Sequence, residues 1–315
     1  TSPLAIELGL WGLTAWLLFY VSTLYFLTLE PKLKLFERKE VQILNSLVVL
    51  TTCAFTLSLF LNLLPNYIYN DNLLSYLPGI SFLLVVCIII FALTMSTKVS
   101  FMTKLSKFSV YLFVVLTFYL LISFNFDNTS IEASLIQLNQ YLFNAHRFIL
   151  PFNEYHEFYL AWWLTWTIML GQFVAKFVKH LKPIKLLLAM SVIPMIPTFI
   201  WFSVLYHIHV TEQTITMTTA LIMIFLAILF VVNSLDFMIA NYANTLKLGR
   251  TQLSNISFIL TNTVLLVCLT YLFKESFLFI EWTAFVVILI FMYGFTLAAY
   301  QRIESSNKDV LSSAQ

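Results

Sequence analysis

Long apolar runs, separated by short clusters of charged and turn-forming residues, recur along the whole chain. Each run is about as long as the roughly 20 residues that an α-helix needs to cross the hydrocarbon core of a bilayer. Cutting the sequence at the polar clusters predicts nine spanning helices, over residues 5–29, 41–65, 77–96, 108–125, 156–178, 184–208, 214–244, 254–273 and 277–300. The pattern therefore predicts an all-α integral membrane protein with about nine transmembrane helices.

One stretch between the fourth and fifth runs has a different pattern. In residues 127–152 the apolar side chains alternate with Asn, Gln, His and Arg, which is typical of an amphipathic helix lying in the membrane interface. We therefore divide the chain into four spans over 1–126, a linker helix over 127–152, five spans over 153–301 and a cytoplasmic tail over 302–315.

The composition excludes a soluble enzyme. Of 315 residues, 60% are hydrophobic and 10% are charged, whereas charged residues make up about a quarter of an ordinary globular domain. The sequence contains no C-x-x-C, no H-E-x-x-H and no glycine-rich phosphate loop. We therefore expect no enzymatic activity, no metal site, no cofactor and no nucleic-acid partner; the partner that the composition predicts is the lipid bilayer.

The distribution of basic residues predicts the orientation, because Lys and Arg concentrate in cytoplasmic loops. With nine alternating spans, 15 of the 17 basic residues fall on one side, and Arg147 and Lys274 fall on the other. The C-terminus is thus predicted to be cytoplasmic and residue 1 to lie outside, and we expect an odd number of spans upstream of Thr1. The 15 residues are Lys32, Lys34, Arg38, Lys39, Lys98, Lys104, Lys107, Lys176, Lys179, Lys182, Lys185, Lys247, Arg250, Arg302 and Lys308.

Tryptophans cluster on two of the predicted spans. Trp11 and Trp16 are five residues apart, about 7.5 Å of helix rise, so Trp16 is predicted to lie inside the hydrocarbon zone. In the sequence AWWLTW, Trp162 and Trp166 share a helix face and Trp163 lies about 100° from it. Such indoles can form a box that binds quaternary ammonium by cation–π attraction. They also suit ordinary packing between helices, and spacing alone leaves both interpretations open.

Four motifs, in order along the chain, resemble those of the betaine/choline/carnitine transporter family. The segment FYLAWWLTWTIMLGQFVAK is similar to the family's tryptophan signature, with matches at Phe158, Tyr159, Ala161, Trp162, Trp163, Trp166, Gly171, Phe173 and Ala175. The next span resembles the family's P-x-x-x-T-F-x-W-F-S at Pro194, Thr198, Phe199, Trp201, Phe202 and Ser203. Trp11-Gly12-Leu13 with Trp16 resembles its W-G-L-H-P-W, and Asn233-Ser234-Leu235-Asp236 resembles its T-S-A-D.

This resemblance implies that the nine spans are the last nine of the family's twelve, in a partial inverted-repeat (LeuT-like) transporter fold with substrate near the midplane. It implies a secondary transporter of a bacterial plasma (inner) membrane for quaternary-ammonium osmolytes such as betaine, choline or carnitine. Transport would be driven by Na⁺, by H⁺ or by exchange. The implied substrate residues are Trp11, Trp16, Phe19, Trp162, Trp163 and Trp166, and the implied ion-binding residues are Asn233 and Ser234.

The sequence departs from the family pattern at several positions. Phe19 stands where the family has a tyrosine of its aromatic box, and Asn233 stands where it has the threonine of its sodium site. The other replacements are Thr14-Ala15 for His-Pro, Ile168 for the proline of the tryptophan signature and Lys176 for Arg. The family's glycine-rich third helix has no counterpart in 1–315, so we expect these residues alone neither to bind Na⁺ nor to transport. The alternative is a transport-inactive, transporter-derived structural subunit of a larger membrane complex. The expected assembly is a homo-oligomer or such a complex.

Other polar residues in or near the spans have two interpretations each. Asp236 lies in an apolar run, where an ionisable group marks function by default; we favour a structural role as partner of the basic turn at 247–250. Glu281 is close enough to the interface to be solvated. His207 and His209, at i and i+2, point to different helix faces and are predicted to be interfacial rather than metal ligands.

Overall fold

The computed structural model describes residues 10–64, 77–96, 99–144, 154–178 and 181–313, without the side chains of 10–13, 77–78, 99–102, 141–142, 154–156 and 305–313. Within these ranges the chain is helical and contains no strand. The long helices are α1 Leu10–Thr28, α2 Lys39–Leu63, α3 Leu77–Met95, α4 Val99–Ser123, α5 Asn128–Phe143, α6 Glu154–Phe177, α7 Pro183–Val210, α8 Met217–Tyr242, α9 Asn255–Lys274 and α10 Ile280–Ser313.

Seven of these helices, α2, α4 and α6 to α10, are long and apolar enough to cross a membrane. In α1 and α3 the apolar segments within the described side chains are shorter, at Thr14–Thr28 and Gly79–Met95. The chain is therefore an all-α multi-pass membrane protein, as its composition predicts. The full set of nine spans and the inverted-repeat arrangement stay predictions.

Among the predicted spans, two helix boundaries within the described residues lie nine or more residues from those predicted. Helix α4 begins at Val99 rather than 108, because Lys104 and Lys107 lie in its first turns with exposed side chains instead of in a loop. Long basic side chains at a helix end can keep their charge in water while their stems cover apolar surface. Helix α10 continues to Ser313, so most of the predicted tail over 302–315 is helical.

The predicted linker helix corresponds to α5, which begins one residue after Asp127. The Asp127 carboxylate accepts hydrogen bonds from Thr129 Oγ1 at 2.7 Å and from the Ser130 backbone N–H at 2.9 Å. These bonds satisfy donors at the helix start and lower the pKa of Asp127 to about 2. Most of the side chains described in α5 are exposed; residues 145–152 of the predicted helix lie outside the described ranges.

Helix α2 is central in the packing: it contacts α6, α8, α9 and α10, and 61% of its apolar part is buried. Helices α4 and α7 lie at the periphery, with 22% and 17% buried. Their outward faces carry large apolar side chains such as Phe118, Ile122 and Ile193, which suits contact with lipid. The largest buried cluster joins α2, α3, α8 and α9.

Helices α1 and α6 approach closely at a pair of small residues. The Ser22 hydroxyl donates to the Thr167 carbonyl at 2.8 Å, and a Cβ placed on Gly171 would lie 2.9 Å from the Ser22 Cβ and 3.0 Å from the Ser22 carbonyl carbon. Small residues allow backbones to approach in this way between membrane helices. The contact places the aromatic residues of α1 against those of α6.

Candidate functional site

The candidate site is a group of aromatic rings between α1 and α6. Trp16 and Phe19, three residues apart on α1, lie on one face of the helix. The Trp163 ring centroid is 6.2 Å from that of Trp16 and 5.6 Å from that of Phe19. The Trp16 and Phe19 rings meet edge to face at 5.4 Å. The structure therefore brings together three residues that the sequence predicted for the substrate site.

Two further rings of α6 extend this group. Trp162 lies 5.0 Å from Trp163, and Tyr159 meets Trp163 edge to face at 6.0 Å. Tyr159 is 4% exposed, and it matches the family motif without being a predicted substrate residue. Its i, i+4 spacing to Trp163 is the sequence feature that indicates contact between the two side chains. We call Trp16, Phe19, Tyr159, Trp162 and Trp163 the aromatic cluster.

Of the two other predicted substrate residues, the structure describes only the side chain of Trp166. Trp166 is half-buried against the large core cluster, and no described ring contacts it. The side chain of Trp11 lies outside the described residues. Trp163 is the α6 tryptophan whose ring contacts rings of α1.

The tryptophans of α6 carry hydrogen-bond donors that have no acceptor among the described residues. The Nε1 atoms of Trp162, Trp163 and Trp166 are buried, and none has a partner among the described residues. A buried donor left without an acceptor costs about 1–3 kcal/mol. The arrangement can thus offer ring faces to a cation and N–H groups to an acceptor. Phe19, which is 1% exposed, fills space between the same two helices.

The predicted ion-binding residues lie on α8, facing α4. The side-chain amide of Asn233 donates from Nδ2 to Ser109 Oγ at 2.9 Å, and the Ser109 hydroxyl donates to the Leu105 carbonyl at 2.8 Å. Asn233 and Ser234 are both half-buried. The amide nitrogen of Asn233 is therefore engaged within the protein, and the ion-binding role of Asn233 and Ser234 stays a prediction.

Asp236 does not form the expected pair with the basic turn. No ion pair to Arg250 or Lys247 is present in the described part of the chain. Arg250 instead donates from Nη2 to the Leu93 carbonyl at 2.8 Å, with its guanidinium 4.7 Å from the centroid of the Phe258 ring. Asp236 and Arg250 nevertheless line one cavity.

The two histidines of α7 point to different surroundings, as their spacing predicts. His207 Nε2 lies 3.0 Å from the Phe124 carbonyl oxygen, and its ring meets Phe126 edge to face at 5.3 Å. His209 lines a separate cavity of about 850 Å³ near the turn between α7 and α8. His207 therefore holds the end of α4 against α7.

The resemblance to the transporter family rests on the motif residues, four of which belong to the aromatic cluster. No model of a known protein family matches the sequence, and no curated protein matches it either.

Proposed function

We propose that the chain is a secondary transporter, or the larger part of one, for quaternary-ammonium osmolytes such as betaine, choline or carnitine. The observation that carries this proposal is the aromatic cluster, in which Trp16 and Phe19 of α1 contact Trp163 of α6. Aromatic faces attract a trimethylammonium group, which has no N–H to donate, through cation–π interactions of about 0.5–2 kcal/mol each.

The position of the cluster along the chain supports the same proposal. Inverted-repeat transporters bind substrate near the midplane, between helices of their two repeats. Helix α1 belongs to the predicted unit over 1–126, and α6 begins the predicted unit over 153–301. The indole N–H groups of α6, which have no partner in the described part of the chain, add donors beside the ring faces.

The proposal is tested by ligand binding to the purified protein. Betaine or choline should quench indole fluorescence, and Trp163→Leu should weaken binding five- to thirtyfold, which corresponds to about 1–2 kcal/mol. Trp282→Leu is the matched control, because Trp282 is 72% exposed near the start of α10 and should leave the affinity unchanged. Unchanged affinity in Trp16→Leu, Trp163→Leu and Trp166→Leu alike would assign these indoles to packing.

One observation favours the second candidate, a transport-inactive structural subunit of a larger membrane complex. Phe19 is almost completely buried, and its ring packs against those of Trp16 and Trp163. Absence of ligand binding, together with a stable partner that co-purifies from the native membrane, is the result expected for such a subunit.

A further inference from the structure

A small polar cavity lies where the ends of α3 and α8 meet the start of α9. Its volume is about 230 Å³, and its polar lining residues are Ser96, Asp236, Asn244, Arg250 and Thr251. The alternation of the spans makes this the predicted cytoplasmic end of the protein. The cavity is thus a polar space reached from the side on which the basic loops are predicted.

Asp236 is the acidic residue of this cavity. It lies six residues before the end of α8 at Tyr242, about 9 Å of helix rise, and it is half-buried. No described residue forms a hydrogen bond or ion pair with its carboxyl group. Ionisable side chains within membrane helices are costly and mark ion or proton pathways.

Arg250, the basic residue of the same cavity, is engaged elsewhere. Its Nη2 donates to the Leu93 carbonyl at 2.8 Å and lies 3.5 Å from Ser96 Oγ. Leu93 is near the C-terminal end of α3, where carbonyl groups lack backbone partners in their own helix, and its carbonyl also accepts from the Ser96 hydroxyl at 2.9 Å. The guanidinium thus ties the turn after α8 to the end of α3, although a carboxyl group shares its cavity.

We propose that Asp236 binds the proton that couples transport to a proton gradient, and that Arg250 becomes its partner once the proton has left. This inference rests on the proposed function. While the proton is bound, the Asp236 carboxyl group is neutral and Arg250 holds α3 through the Leu93 carbonyl, the contact that the structure has. On release the proton passes to water in the cavity. The guanidinium of Arg250 then moves from the Leu93 carbonyl to Asp236 and donates hydrogen bonds to its carboxylate. The released end of α3 is then free to move.

The surroundings of Asp236 suit a proton better than a metal cation. A proton needs one carboxylate, whereas a hard metal ion needs several oxygen ligands at once. Among the described lining residues, which the end of α3, α8, the turn after it and α9 contribute, Arg250 is the one other charged group, and its positive charge opposes a bound metal ion. The described lining includes no residue of α2 or α4.

The transport test uses the full chain, as its gene encodes it, in liposomes. We expect an inward proton gradient, without sodium, to drive accumulation of labelled betaine. Asp236→Asn should reduce this accumulation to the level without a gradient, while exchange of labelled for unlabelled betaine stays within about twofold. Glu281→Gln, at the start of α10, is the matched control and should behave as wild type. Wild-type accumulation by Asp236→Asn, or betaine binding without any proton-driven accumulation, overturns the inference.

A second measurement does not depend on transport. Infrared difference spectroscopy of the purified protein should show a carboxyl band that titrates with pH, is lost in Asp236→Asn and is retained in Glu281→Gln. A titrating band that Asp236→Asn leaves unchanged overturns the assignment. If betaine fails to bind, the proposed function fails, and the infrared titration still decides whether Asp236 binds a proton.

Discussion

Among single residues, Glu30 connects the end of α1 to the start of α2. Its Oε1 accepts a hydrogen bond from the Phe36 backbone N–H at 2.8 Å, and its Oε2 accepts one from the Tyr25 hydroxyl at 3.3 Å. Burial raises the pKa of Glu30, although these hydrogen bonds act in the opposite direction. Between its partners the chain turns at Lys34, which has a left-handed backbone with φ of 50°. The Glu30 carboxyl group therefore accepts two hydrogen bonds that hold the turn, while its burial disfavours the ionised form.

Replacing Glu30 by Gln should keep the turn and remove its pH dependence. A raised folded-state pKa means that the contribution of this group to stability is complete below the unfolded-state pKa and is lost as the pH rises through the folded-state value. We therefore expect the unfolding temperature of Glu30→Gln at neutral pH to equal or exceed that of wild type. Thermal unfolding in detergent from about pH 4 to about pH 8 measures this.

Two further variants make the Glu30 measurement decisive. Glu37→Gln is the control, because Glu37 is exposed and only meets Lys34 at 3.7 Å. Glu30→Ala should be less stable than Glu30→Gln, since it leaves the Phe36 N–H without its acceptor. Equal destabilisation by Glu30→Gln and Glu30→Ala at neutral pH would contradict the role assigned to the hydrogen bonds.

The sequence identifies the indoles of the candidate site, but it does not show which of them contacts α1. The spacing of Trp162, Trp163 and Trp166 fixes their relative directions on α6, because helix geometry is local. Which direction faces α1 depends on the contact of Gly171 with Ser22, and helical periodicity carries no information about such a distant pair. Trp163 could therefore not be ranked above Trp166 from the sequence.

Among helices, the pair α1 and α6 depends on Gly171. A methyl group at this position would meet the backbone and side chain of Ser22 at 2.9–3.0 Å, so the two helices would have to move apart. We expect Gly171→Ala to destabilise the protein by about 1–3 kcal/mol, as other overpacked substitutions do. Chemical unfolding in detergent, followed by circular dichroism, measures the loss.

Gly79 provides the matched control for this substitution. A Cβ at Gly79, also helical, would meet no atom of the described residues within 4 Å. Gly79→Ala should be neutral or stabilising by up to about 1 kcal/mol, because alanine favours the helix over glycine. Similar stabilities of the two variants would show that α1 and α6 do not depend on their close approach.

Helix bounds were predictable where local signals are strong. The predicted spans 184–208 and 254–273 correspond to Pro183–Val210 and Asn255–Lys274, since Pro183 suits a first helical turn and Ser254 caps the next residues through the Ser257 N–H at 3.2 Å. The start of α4 and the end of α10 were less predictable. Charged residues there indicate where the chain leaves the membrane, but a helix can continue beyond the membrane into water. The charge pattern therefore does not locate the ends of these two helices.

For the whole molecule, the asymmetry of 15 to 2 basic residues predicts the orientation. Single cysteines at Lys104 and Lys182 should be protected from an impermeant maleimide on intact cells, and cysteines at Asn70 and His209 should react. Asn70 lies outside the described residues, so its accessibility is predicted from sequence alone.

The labelling requires a background in which the native cysteines Cys53, Cys87 and Cys268 are replaced. Labelling of all four positions after the cells are opened is the control for accessibility. Strong labelling at position 104 from the outside would reverse the proposed orientation.

The bond between Ser22 and Thr167 also has a consequence for synthesis of the protein. Its two residues are 145 positions apart, so at about 5–20 residues per second the ribosome makes α6 roughly 7–30 s after α1. During this interval the Thr167 carbonyl does not yet exist, and we expect the Ser22 hydroxyl to bond within its own helix, as Thr23 does with the Phe19 carbonyl at 2.8 Å. The small-residue face of α1 therefore waits for its partner helix in contact with other surroundings, such as lipid, the insertion machinery or the helices made in between.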